Sequence, residues 1–452
     1  MILILVMEVK MMDNIKEKVL SNGLNVIAVQ KKKLPIFQLS LVINAGSVDD
    51  PKGKEGLANL TANLIDEGTK KYNAIEIAEK FEELGTNLSI SVDDWTTNIG
   101  IKSLTQNVEK SLELLSDIIL NPTFPNEEFE KVKKRTISNI ISQKSDPDYV
   151  SSILLSQVLY KDHPLAHPTE GYENSLLNIK REDVIEFYNN FYIPNNSTLI
   201  VVSDLEPSKS IEIVEKFFSK WQKKVLNIKQ ISDINYPKGK EVYIYHFPGI
   251  NQAFVFLGSK GISRDNKDFN KFRIVNYILG GSGFSSRIVK TIRVKYGYAY
   301  WAYSRINGGY KRYNKVFEGS FIAGFSTKVE SGNHAIELLL DEINKAINEG
   351  FKEDELRSAK SYYEGSIARQ GQTYSQVANI IFNAKLWNLP YDYWIKDIEE
   401  IKKLNLNEVN ETAKKFLPKD YVILVLADTS QFKFDLKGFD KVEIRNFKLN
   451  EN

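Results

Sequence analysis

The chain has 452 residues, more than one ordinary domain needs, and a soluble globular composition of 42% apolar and 26% charged residues. Sixty basic residues stand against 58 acidic ones, and a net charge of +2 gives no reason to expect a nucleic acid or an anionic membrane surface as partner. Cysteine is absent, which excludes disulfides, thiolate metal sites and cysteine nucleophiles, suits cytoplasm and periplasm alike, and leaves His163, His167, His246, His334 and carboxylates for any metal or acid–base chemistry.

Taken from the N-terminus, Met1-Ile-Leu-Ile-Leu-Val-Met7 is apolar but far short of the ~20 residues of a membrane span. No basic n-region or small-residue cleavage site accompanies it, so residues 1–15 read as a leader or ragged start. No later window is long and apolar enough to span a bilayer. Leu24–Gln30 and Phe37–Asn44 read as a hairpin-like strand pair around Lys31-Lys-Lys-Leu-Pro35, and the basic triplet reads as a solvated turn. A helix is expected near Lys54–Glu67, stopping at Gly68, and another over Asn107–Leu120. His163 and His167 have the four-residue spacing of helical metal ligands. Pro164 and Pro168 follow them directly, however, and forbid a regular helix.

The next segment occurs twice. Arg181–Asp204 is an amphipathic helix, a proline break at Pro194 and a buried strand ending in Asp204. Leu406–Asp428 repeats the pattern, with Val184 matching Val409, Phe191 matching Phe416, Pro194 matching Pro418 and Leu199 matching Ile423. Lys-rich, polar 223–240 lies between the halves as a linker. The second half opens as the first does, with Glu241–Tyr245 and Gln252–Gly258 flanking His246-Phe-Pro-Gly249. A helix around Phe269–Leu279 should stop at Gly280-Gly281. Gly280-Gly281-Ser282-Gly283 lacks the G-x-x-x-x-G-K-[ST] pattern of a phosphate loop and reads as a close-packed connection. Ser285 or Ser286 should then cap a helix with the apolar stripe Ile288, Val289, Ile292, stopped by Gly297. Tyr298–Tyr303 reads as a strand with Tyr298 and Tyr300 on one face, Asn307-Gly308-Gly309 as a turn and Asn333–Glu349 as a helix. The expected architecture is α+β: two homologous sheet-plus-helices domains in tandem, 16–222 and 241–452, arranged as a clamp.

Gly46–Thr69, Asn251-Gln-Ala, Asn276–Arg287 and Arg293–Tyr300 resemble runs of the pitrilysin/insulinase-type zinc peptidases, most nearly the class that includes the mitochondrial processing peptidase and its two-subunit bacterial relatives. The resemblance covers roughly residues 16–430 and accounts for the duplication. Active members carry H-x-x-E-H on the helix after the first strands: two His on one helical face grip Zn²⁺ and the Glu serves as base toward the metal-bound water. The family frame puts the two His at Asn59 and Asn63, the base at Ala62 and a third, glutamate ligand at Asn139. Three neutral amides bring no negative charge and Ala62 cannot act as base, so no metal is expected in this chain. None of the four His lies where the family puts its ligands; Glu55, Asp66 and Glu67 read as helix-terminal surface residues.

In the two-subunit members one subunit holds the zinc motif and the other supplies an Arg/Tyr pair from its second half, and Arg293 and Tyr300 match that pair. The resemblance thus implies a zinc-free, substrate-positioning subunit of a heterodimeric metalloendopeptidase. It would be inactive alone and would contribute Arg293 and Tyr300 in trans to a partner with an intact H-x-x-E-H motif and its zinc. The substrate would be an extended or unfolded peptide. The alternative is a non-hydrolytic structural or peptide-binding homologue.

Overall fold

Continuous apolar runs such as Val26-Ile-Ala-Val29 and Leu199-Ile-Val-Val202 are buried on both sides, which suits interior strands covered on both faces. In the computed structural model, which describes residues 14–228 and 230–446, they are neighbours; the apolar leader Met1–Met7 lies outside the described residues. The strands of the first sheet are β1 (Ile15–Val19), β2 (Asn25–Gln30), β3 (Ile36–Ile43), β4 (Asn87–Val92), β5 (Thr97–Leu104) and β6 (Ser197–Ser203). Their order is β1-β2-β6-β3-β5-β4. β6 lies parallel to β2 and antiparallel to β3. The expected β2/β3 hairpin is therefore not formed. β6 gives β2 and β3 each an apolar neighbour, Leu199, Ile200, Val201 and Val202 all being buried.

The second sheet comprises β7 (Lys240–His246), β8 (Gln252–Lys260), β9 (Ala299–Ile306), β12 (Ser320–Lys328), β13 (Tyr421–Ala427) and β14 (Lys441–Asn446), with β10 (Tyr310–Arg312) and β11 (Lys315–Phe317) forming a separate hairpin. Its order is β14-β7-β13-β8-β12-β9. The second expected hairpin is likewise replaced by insertion of β13 between β7 and β8. Five consecutive positions repeat the first sheet: β2-β6-β3-β5-β4 against β7-β13-β8-β12-β9. The sixth differs. β1 comes first in the chain and runs antiparallel to β2, whereas β14 comes last and runs parallel to β7.

The chain divides into two compact units that are not contiguous in sequence, unlike the boundaries 16–222 and 241–452. The first takes in residues 368–392 and the second residues 143–166. In the first unit, one sheet face packs Val26, Leu39, Leu41 and Val201 against the helices Val108–Leu120 and Arg181–Phe191. The opposite face (Ile27, Val29, Ile200, Val202) is covered by Tyr374, Val377 and Ile381 of the helix Tyr374–Trp387. Tyr374 also pins the Lys31–Leu34 turn, its hydroxyl reaching the carbonyls of Lys31 (3.0 Å) and Leu34 (2.9 Å). In the second unit Val255, Leu257, Ile423 and Val425 share one core, and the helix Pro147–Tyr160 packs on β8 and β13. There Leu155 and Leu159 fill the space left by Gly258. A sheet with interior strands this apolar needs a helical layer on each face, and the second layer is what the non-contiguous segments supply. Among the described residues no helix is long and apolar enough to cross a membrane.

Candidate functional site

In the first unit the helix expected over Lys54–Glu67 is a short one, Leu57–Ala62, followed by turns rather than by a glycine cap at Gly68. Its start is held by Asp50, whose carboxylate accepts the N–H groups of Gly56 (2.7 Å) and Ala58 (2.8 Å). Burial nonetheless pushes the Asp50 pKa well above the usual carboxylate range. Asp94 lies close by, takes a hydrogen bond from Ser47 Oγ at 3.4 Å, and is raised to about 6 by burial and by neighbouring Asp93.

Of the positions that the resemblance gives to zinc ligands, Asn59 and Asn63 lie on this helix and at its C-terminal end and touch each other, while Asn139 lies on another helix. Asn63 Nδ2 donates to Asn59 O (2.8 Å) and to Asn59 Oδ1 (3.0 Å), so the two amides satisfy each other. Ala62 is fully buried and Asn139 is exposed on the helix Asn126–Gln143. Among the described residues no group of three or more His, Cys, Asp or Glu would hold a metal ion. A zinc ion needs lone pairs, and here one amide points N–H groups at its neighbour and the base position ends in a methyl group; this donor set does not fit it. Asp66 and Glu67 lie half-buried beyond the helix rather than on its exposed terminus. Burial raises both, and Arg135 sits 3.6 Å from Glu67.

The histidines have local partners. His163 and His167 flank the 3-10 turn Pro164–Ala166 and belong to different units. His163 Nδ1 accepts Leu165 N–H at 3.1 Å, its ring meets Phe317 edge-on, and burial lowers its pKa to about 4. His167 Nδ1 lies 3.1 Å from the carbonyl of Pro168. His246 Nδ1 lies 3.0 Å from Thr429 Oγ1 and accepts its N–H at 3.1 Å. It is 3.9 Å from Asp428, the strand-ending Asp of the repeat, whose pKa Ser430 and Gly249 N–H bring down to about 2. His334 Nδ1 meets Tyr298 OH at 3.0 Å.

In the second unit the helix Phe269–Asn276 runs into a π-helical turn, Tyr277–Gly281, rather than stopping at Gly280. A Cβ on Gly280 would stand 2.4 Å from Ser304 N, so the glycine allows the turn to lie directly on β9, as a close-packed connection requires. A second π-helical segment, Val289–Lys295, carries Arg293. Ile288, Val289 and Ile292 are buried as the stripe requires. Ser286 does not cap the segment; its hydroxyl donates back to Gly283 O at 2.7 Å. Gly297, at φ +66°, ends the segment and its N–H reaches Arg293 O at 3.1 Å.

β9 follows at once and carries a bulge. Ala299 faces Thr327 and Ala302 faces Phe325, so Tyr300 and Trp301 together oppose the single residue Ser326. The Arg293 guanidinium lies 5.3 Å from the Tyr300 ring and 4.4 Å from the Phe284 ring. Tyr300 is 83% exposed and Phe284 64%. Arg293 and Tyr300 are thus brought into contact, as their spacing suggests. Tyr298 has a different partner, His334. Sequence reasoning missed Phe284; an aromatic residue inside a Gly- and Ser-rich connection was the available signal.

Two family models match the chain: Insulinase (Peptidase family M16) over residues 25–173, and Peptidase M16 inactive domain over residues 178–363. The chain belongs to peptidase family M16. Among M16 proteins, it is 26% identical over 391 residues to the non-peptidase homolog YmxG of Helicobacter pylori, covering 86% of this chain and 88% of that one. It is 28% identical over 201 residues to mitochondrial-processing peptidase subunit alpha-1 of Dictyostelium discoideum, covering 44% of this chain and 30% of that protein. A crystal structure of a peptidase M16 inactive domain from Pseudomonas fluorescens superposes with a TM-score of 0.85 at 26% identity, covering 93% of this chain and 99% of that one.

Proposed function

We infer that this M16 chain is a zinc-free, substrate-positioning subunit of a heterodimeric zinc endopeptidase, derived by tandem duplication of one sheet-plus-helices unit. A homologous partner with an intact H-x-x-E-H motif holds the zinc. Arg293 and Tyr300 act in trans on an extended peptide bound in the partner's site. The observation that carries this reading is the contrast between the two units. At the metal positions Asn59 and Asn63 bond to each other, whereas half-buried Arg293 touches exposed Tyr300 and neither is tied to a carboxylate among the described residues. The relatives named as a non-peptidase homolog and as a subunit of a processing peptidase support it. In this mechanism Tyr300 hydroxyl donates to the oxygen that becomes negative as the scissile carbonyl is attacked, and Arg293 holds a neighbouring substrate carbonyl. A donor aimed at developing charge is worth about 2.7–4 kcal/mol.

The test is to purify this chain and its zinc-bearing homologue separately and to measure peptide cleavage by each and by the mixture. Cleavage well above that of the zinc subunit alone is expected. A mixture no faster than the zinc subunit overturns the reading and favours the alternative, a non-hydrolytic peptide-binding protein, with which the name of the Helicobacter pylori relative also agrees.

A further inference from the structure

Arg287 lies two residues before the segment Val289–Lys295 that carries Arg293, and only one of the two arginines is neutralised among the described residues. Arg287 forms a two-pronged pair with Glu355, Nε to Oε1 at 2.7 Å and Nη2 to Oε2 at 2.6 Å, gives a further bond to Gly350 O and stacks on Phe351. It is a structural pair. Arg293 has the aromatic contact without the carboxylate: Phe284 and Tyr300 hold its guanidinium, and no acid lies within ion-pair distance among the described residues. Lys290 and Lys295, on the same segment, form no ion pair among the described residues either; Lys295 Nζ rests 5.1 Å from the Tyr296 ring. The acid packed against this segment, Glu342, is buried, accepts Thr291 Oγ1 at 2.9 Å and lies 3.7 Å from Lys345. Val294 (61%) and Tyr296, on either side of Lys295 in the chain, are exposed as well, the Tyr296 ring packing on Tyr298 and His334. A guanidinium stacked on rings keeps its N–H fork free for a carboxylate, which is the geometry Glu355 exploits at Arg287.

We propose that the Phe284–Arg293–Tyr300 clamp, with Lys290 and Lys295, binds a carboxylate side chain of an extended acidic peptide that also carries apolar residues, the five N–H donors of Arg293 serving both this carboxylate and the substrate carbonyl. Phe284 is its positioning residue, fixing the plane of Arg293. This rests on the reading of Arg293 and Tyr300 as a substrate-contacting pair and specifies the substrate class that such a pair selects. The edge position and bulge of β9 set Tyr300 at the rim of its sheet, where an extended chain has access.

The experiment uses the purified chain and a fluorescein-labelled unstructured peptide alternating Glu with Phe and Gly, against the same peptide with Gln for every Glu, read by anisotropy. The Glu peptide is expected to bind about tenfold or more tighter at low salt and to lose that advantage as salt rises. Phe284→Ala should weaken Glu-peptide binding and Phe284→Trp retain it, while Lys290→Gln with Lys295→Gln should lower the salt sensitivity. Equal binding of the two peptides, or unchanged binding by Phe284→Ala, overturns the proposal. Cleavage of an uncharged peptide by the two-subunit mixture separates the two readings. If Arg293→Ala abolishes that cleavage while the Glu preference is absent, the acidic selectivity falls and the in-trans role stands. If the Glu peptide binds the clamp while cleavage ignores Arg293, the outcome is the reverse.

Discussion

The segments that follow β3 and β8 come from equivalent places in two sheets of the same strand order and have opposite fates. After β3 the polar side chains turn inward on each other: Asp50 caps the helix and Asn63 bonds to Asn59. After β8 the backbone takes up two π-helical segments and a bulge, which set a half-buried cation against two exposed rings. The lesson is physical. Two neutral side chains that satisfy each other offer a metal ion little, and the helix beside them still buries Leu57, Leu60 and Ala62. The Arg293–Tyr300 contact lies where irregular backbone is held in place, and a regular helix and strand would aim the same residues elsewhere.

The largest test of this contrast is functional. In a mixture with a zinc-bearing partner, Arg293→Ala or Tyr300→Phe should each lower kcat by about 10²–10³-fold. Asn59→Ala should leave turnover near wild type, and equal losses at both places would erase the distinction between the two segments. Gly280→Ala comes next. The new Cβ would stand 2.4 Å from the Ser304 backbone nitrogen. Denaturant titration should show a loss of about 1–3 kcal/mol, typical of overpacking. An unchanged midpoint would mean that the π-helical turn need not lie so close to β9.

The first unit makes a prediction about pH. Asp94 has its pKa raised to about 6, so the folded chain binds more protons than the unfolded one between about pH 4 and pH 6. That contribution favours folding below the unfolded pKa and is lost as pH rises through the folded one. Asp94→Asn should therefore flatten the fall in urea midpoint over that window and stabilise the chain at pH 7 by about 1–2 kcal/mol. A variant with the wild-type pH profile would show that Asp94 is not the group responsible. Smallest of all, Asn63→Ala removes a half-buried hydrogen bond between two neutral amides and should cost about 0.5–1.5 kcal/mol in thermal or urea unfolding. A larger loss would make that pair a structural keystone.

Much of this was legible in the residues. The repeated helix–proline–strand units were, since Val184 and Val409 lie at 0% exposure on the helices Arg181–Phe191 and Leu406–Phe416, just ahead of the interior strands β6 and β13. So was the Arg293–Tyr300 contact, because one tight turn at Gly297 leaves little freedom between them. The strand neighbours were not. A loop such as Lys31–Pro35 fits a hairpin, and nothing local says that a strand from far along the chain will enter between β2 and β3. Phe284 was missed for the same reason, since its meaning lies in a ring stacked on a residue of the next segment.

By itself the sequence determined composition, the repeated pattern and the identities of Asn59, Ala62, Asn63, Arg293 and Tyr300, because those are fixed residue by residue. Tertiary structure alone decided the insertion of β6 and β13, the helical layer that each sheet takes from a distant segment, and the placing of a half-buried guanidinium without a carboxylate partner, among the described residues, against two exposed rings. These depend on burying both faces of apolar strands and on backbone irregularities held by packing, and neither is a property of any short stretch of chain.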